Sequence, residues 1–139
     1  MGKIVVGYDG SECGKAALDE GLRLAKGLGD SLVVVFGYAP PGLWGGEIVE
    51  HEDAIEELGK KVTREAEARA KESGVPTEIA LVAKKASHAL ADIAEERGAR
   101  MIVVGSYGDP PLKGAILGST PYRLLHVSSV PVLVVPANR

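Results

Sequence analysis

Five short apolar runs dominate this sequence: KIVVGY from Lys3, SLVVVFGY from Ser31, TEIALVA from Thr77, RMIVVG from Arg100 and VPVLVVP from Val130. Most are rich in β-branched residues and apolar at consecutive positions, the pattern of strands covered on both faces of a parallel sheet. Stretches of helical period separate them. In the first, Ala17, Leu18, Leu22, Leu24 and Ala25 share one face. Ser11 is placed to cap that helix, Glu12 complements its dipole, and Gly27 and Gly29 supply the stop. The second runs from Glu47 to Gly74, with Ile55, Leu58, Val62 and Ala66 as its apolar stripe. A third is expected after Ser87 as cap, and a short fourth over TPYRLLHVS. Parallel neighbours need crossover connections of a dozen or more residues, usually helices. The alternation therefore specifies an α/β fold: one doubly wound domain over residues 1–139, Rossmann-like, with helices on both faces.

Composition removes several function classes. The net charge of −3 and pI near 5.6 come with no basic face able to neutralise a run of phosphates, so no nucleic-acid partner is expected. Cys13 is the single cysteine, which excludes an intramolecular disulfide and a thiolate zinc cluster. No apolar run approaches the ~20 residues that span a bilayer. The N-terminus lacks a secretory leader pattern, so no membrane is expected and the cytoplasm is the expected compartment. His51, His88 and His126 fall on expected helices without metal-ligand spacing.

In open parallel sheets, ligands bind outside the carboxyl ends of the strands, where the winding direction switches. The residues just past each run are Gly7-Tyr8-Asp9 after the first and Gly37-Tyr38 after the second. Lys84-Lys85 follows the third, and Gly105-Ser106-Tyr107-Gly108 the fourth. Asp9 suits either a turn cap or a carboxylate accepting from a ribose hydroxyl or an adenine amine. Gly105 allows the backbone to turn and a ligand to approach closely. Gly118-Ser119-Thr120 opens the last helix, where free amides and the dipole favour an anion, and Pro121 fits its first turn. No P-loop, dinucleotide fingerprint or nucleophile elbow is present.

Gly105-x-x-Gly108, nine residues, then Gly118-Ser119 resembles the G-2x-G-9x-G-(S/T) signature of the universal stress protein family. The likeness extends over KIVVGYDGSE at the start and ARMIVVGSYG and VPVLVV later in the chain. The resemblance implies a five-stranded parallel sheet in the order 3-2-1-4-5. It also implies a homodimer paired through the last strand, Val132, Leu133, Val134 and Val135. Members with the signature bind ATP, with or without Mg2+. Carried over by position, Gly105, Ser106, Tyr107, Gly108, Gly118, Ser119 and Thr120 would hold phosphates and ribose. Asp9 would meet adenine or ribose beside the backbone of Gly7 and Tyr8, and Val104 would line the base pocket. Lys113 stands at a position often basic in the family. Pro121 replaces a residue that is often Ser or Thr, and Gly37 replaces a valine common against the adenine, which would loosen the pocket.

The leading expectation is a nucleotide-binding, dimeric stress-response module. A slow ATPase or self-phosphorylating enzyme remains an alternative, although catalysis needs a positioned base and a metal-ligand carboxylate. Pro121 and Gly37 keep AMP, a cyclic nucleotide or an empty site open as well.

Overall fold

The computed structural model describes residues 2–38, 47–106 and 119–137, with side chains over 47–56 left aside. Five strands, β1 (Lys3–Gly7), β2 (Ser31–Gly37), β3 (Thr77–Val82), β4 (Met101–Gly105) and β5 (Val132–Val135), alternate with four helices. These are α1 (Glu12–Leu28), α2 (Glu47–Ser73), α3 (Ala86–Arg97) and α4 (Ser119–Val127). All strand pairs are parallel and the order is β3-β2-β1-β4-β5, as the family resemblance implies.

Alternate strand residues feed two separate cores. Ile4, Val6, Leu32, Val34 and Val103 pack with Ala17, Leu18, Leu22, Ala66 and Ala70, beneath α1 and α2. Val5, Val33, Val35, Ile102 and Val104 pack with Ala89, Leu90, Ile93 and Leu124, beneath α3 and α4. Period-two alternation thus serves both faces of one buried sheet, which explains why the strands read as unbroken apolar runs.

Local chemistry sets the helix ends. Ser11 caps α1, its hydroxyl accepting from the Gly14 amide at 3.1 Å. The left-handed Gly29, at φ 71°, closes it.

Two expectations need correction. Ser87 does not cap α3: the cap position is Lys85, which offers no side-chain hydrogen bond, and Ser87 lies buried inside the first turn. The stripe of α2 holds at Val62 and Ala66, which meet the core, and fails at Leu58, while the Ile55 side chain lies outside the described residues. Gly59, Thr63, Ala66 and Ala70 face inward while Leu58 is 54% exposed. Close packing explains why Leu58 is displaced, because a Cβ on Gly59 would stand 2.8 Å from the Phe36 ring. Small residues let α2 approach β2 and β3, and that selection outweighs side-chain hydrophobicity.

Candidate functional site

The sheet order reverses at β1, whose neighbours are β2 and β4. Beyond the carboxyl ends of these strands lies a cleft of about 80 Å³. Gly7, Tyr8, Asp9, Gly37, Val104, Gly105, Thr120 and Pro121, all expected site residues, line it. So do Gly14, Val35, Phe36, Ala86 and Leu90, which the sequence reading missed. Its position matches the general rule for ligand sites in open α/β sheets.

Asp9 lies on the strand-to-helix turn and is exposed. Its Oδ1 accepts from the Ser11 amide at 2.9 Å and from the Ser11 hydroxyl at 2.5 Å. The same hydroxyl accepts from Gly14 N, so Gly14, Ser11 and Asp9 form a short relay at the start of α1. Oδ2 makes no hydrogen bond among the described residues. One oxygen therefore holds the turn and the other remains an open acceptor at the cleft. The two roles weighed for Asp9 are not exclusive.

Apolar atoms make the inner wall. Val35 and Val104 come from the strands, and Leu90 rises from the second turn of α3. A Cβ on Gly7 would meet Leu90 Cδ1 at 2.9 Å and Val104 Cγ1 at 3.1 Å, so the strand end sits hard against both. Pro121 is buried in the first turn of α4 and supplies a rigid ring rather than a hydroxyl. Tyr8 contributes differently. Its side chain belongs to the core beneath α1 and α2, and burial pushes its phenol above the usual tyrosine range.

Two glycines of the expected site have a packing cause. A Cβ on Gly105 would lie 2.6 Å from the Cys13 carbonyl carbon, so the close approach there is by the backbone of α1. Gly37 was expected to loosen the pocket. Instead a Cβ would lie 2.7 Å from Ala86 Cα and 3.0 Å from Ala89 Cβ. The start of α3 fills the space a valine would take.

Ser106 is not among the described residues that line the cleft. It turns beneath the rim, its hydroxyl 3.6 Å from the buried Cys13 Sγ and its amide donating to Val135 O at 2.9 Å. Ser119 lines the adjoining cavity together with Lys85, Ala86, Ser87, Thr120 and Arg123. Tyr107, Gly108, Lys113 and Gly118 lie outside the described residues.

Four of the five missed residues reach the cleft through tertiary placement. Val35 and Phe36 reach the cleft because β2 pairs with β1 so that Gly7 stands opposite Val35, a register no local pattern reveals. Ala86 and Leu90 arrive through the close seating of α3. The legible trace of that seating was Gly37 followed, across the crossover, by the small pair Ala86 and Ala89.

No helix among the described residues is long and apolar enough to cross a membrane. Comparison with known proteins agrees with the geometry. The sequence matches the Universal stress protein family model over residues 1–136. It is 31% identical to universal stress protein YxiE of Bacillus subtilis, covering 96% of this chain and 97% of that one. A universal stress protein solved in complex with cAMP superposes with a TM-score of 0.76 at 28% identity, covering 99% and 98% of the two chains. Universal stress protein UspA from Lactobacillus plantarum shares the fold with a TM-score of 0.86 at 19% identity, covering 96% and 97%. The chain belongs to the universal stress protein family.

Proposed function

We propose that this chain binds an adenine nucleotide, ATP in particular, in the cleft at the carboxyl ends of β1, β2 and β4. The observation that carries this reading is the pairing of the open Asp9 Oδ2 acceptor with the apolar wall of Val35, Leu90 and Val104. A purine presents flat apolar faces and an exocyclic amine, and a ribose presents hydroxyl donors. A slot with one carboxylate acceptor suits either. The cAMP complex of a 28% identical relative supports the same ligand class. Gly118, Ser119 and Thr120 would receive the phosphates at the start of α4, and Mg2+ would enter with ATP, held by phosphate oxygens and water.

Function then rests on binding rather than turnover. Among the described residues that line the cleft, Asp9 is the carboxylate, and its Oδ1 is committed to the turn. The binding unit is a homodimer paired through β5. That strand is an edge of the sheet, and Leu133 on it, with Tyr122, Leu125 and Val127 on α4, leaves apolar surface exposed. In this reading the protein is a regulatory module of the stress response whose ligand state is its signal.

Mass spectrometry of small molecules released from the purified chain is expected to find an adenine nucleotide. Added ATP at ~100 times its dissociation constant should stabilise the fold by about 2.7 kcal/mol, and sedimentation should report a dimer. A protein that releases no nucleotide and shows no thermal shift with millimolar ATP, AMP or cAMP would refute the reading.

A further inference from the structure

Beside the cleft lies a second, open cavity of about 380 Å³, lined by Lys85, Ala86, Ser87, Ser119, Thr120 and Arg123. Ala86 and Thr120 line both spaces, so the two adjoin. We propose that this cavity receives the outer phosphates of a nucleoside di- or triphosphate whose base occupies the cleft, with Lys85, Ser87 and Arg123 setting selectivity for the longer phosphate chain. The proposal rests on the nucleotide reading above and names the ligand class within it.

Charge is the first support. The starts of α3 and α4 both border the cavity, and neither helix has an acidic residue in its first turn. The first intrahelical bond of α3 runs from Ala89 N to Lys85 O. The amides of Ala86, Ser87 and His88 therefore have no intrahelical acceptor. No side chain caps them, so their positive dipole end is left for an anion. Lys85 and Arg123 add two full charges, and neither has an ion-pair partner among the described residues.

The neighbouring lysine shows that this is selective. Lys84 is ion-paired with Asp92, which raises its pKa through that hydrogen bond. Lys84 is thus ion-paired with Asp92 of α3, whereas Lys85 has no ion-pair partner among the described residues.

Ser87 is the second, independent support. It is only 5% exposed, lines the cavity, and its hydroxyl has no hydrogen-bond partner among the described residues. Lining an open cavity, that hydroxyl is free to donate to a ligand oxygen. Ser119 and Thr120 bring two further hydroxyls from the facing helix. Hydroxyl donors, free amides, a lysine and an arginine around one open space are the groups that bind phosphate oxygens. The base and ribose require none of them.

Calorimetric titration of the full chain with adenosine, AMP, ADP and ATP tests this, using wild type, the double variant Lys85→Gln/Arg123→Gln, and Ser87→Ala. Both charged residues are exposed, so the double variant should unfold at the wild-type temperature. Wild type should bind ATP and ADP more tightly than AMP. The double variant should lose about 10-fold or more in ATP affinity while binding adenosine within about twofold of wild type. Ser87→Ala should show a smaller loss confined to ADP and ATP. Inorganic tripolyphosphate should compete with ATP and leave adenosine binding unchanged. An unchanged ATP affinity in the double variant, or an equal loss for adenosine and ATP, would overturn the subsite. If adenosine binds but added phosphates bring no gain, the subsite fails and the cleft stands. Failure of all four ligands to bind wild type overturns both.

Discussion

At the amino ends of the strands, Gly2, Asp30 and Arg100, the residues just before β1, β2 and β4, close on one another. Asp30 accepts from Arg100 Nε at 2.7 Å and Nη2 at 3.2 Å, and from the Gly2 amide at 3.0 Å. Backbone bonds from Ser31 N to Gly2 O and from Arg100 N to Lys3 O complete the knot. The carboxyl ends of the same strands are built the other way. There Asp9 Oδ2, the Ser87 hydroxyl, Lys85 and Arg123 have no partner among the described residues. A buried carboxylate at one end is fully satisfied, while donors and acceptors at the other are held in place and left open. Polar groups whose every bond is made within the chain serve stability, and those at the open end are free to meet a ligand.

Substitutions can break that contrast, and the largest effect should come where the open end is itself close-packed. Gly105→Val places branched carbon against the backbone of α1 at Cys13, which cannot yield as a side-chain tip would. A loss of roughly 3 kcal/mol is expected in urea unfolding. A loss under about 1 kcal/mol would mean that α1 does not seat against β4 as described.

Next is Arg100→Ala, which leaves the buried Asp30 carboxylate without its guanidinium. Unfolding temperature should fall and nucleotide affinity should not change. The Arg100 hydrogen bonds hold the Asp30 pKa below its ordinary value. Their stabilisation is therefore complete above about pH 4, the unfolded value, and is lost as pH falls through the depressed folded value. In an acid titration followed by circular dichroism, wild type should show this added acid-side loss and Arg100→Ala should show less of it. A variant that weakened ATP binding while keeping wild-type stability would reverse the division between the two ends.

Asp9→Asn should act oppositely. An amide can keep its oxygen on the Ser11 donors and preserve the turn, but it presents NH2 where Oδ2 stood. Stability should stay within about 0.5 kcal/mol, while adenosine affinity should fall about 10-fold. Equal affinity for Asp9→Asn and wild type would remove Asp9 from the site.

Much of this was legible before the structure. Strand positions followed from apolar runs, and the switch-point rule pointed to the residues after β1 and β4. What could not be read was tertiary seating. Gly105 stood out as a ligand glycine and Gly37 as a gap that would loosen the pocket, yet a helix presses on each, α1 in one case and α3 in the other. Leu58 looked like core, and the small residues Gly59 and Thr63 took its place. Ser87 looked like a cap, and one residue of offset turned it into a buried hydroxyl facing the cavity. Hydrophobic period reveals which element forms, whereas the distance of closest approach between elements depends on partners far away in sequence.

The open carboxyl end, and not the knotted amino end, is expected to receive the nucleotide. Backbone amide NMR during ATP titration tests it most directly. The amides of Gly7, Asp9, Val104, Ala86 and Thr120 should shift saturably while those of Gly2, Asp30 and Arg100 stay in place. Shifts centred on the amino-end residues, or none at either end at millimolar ATP, would contradict it.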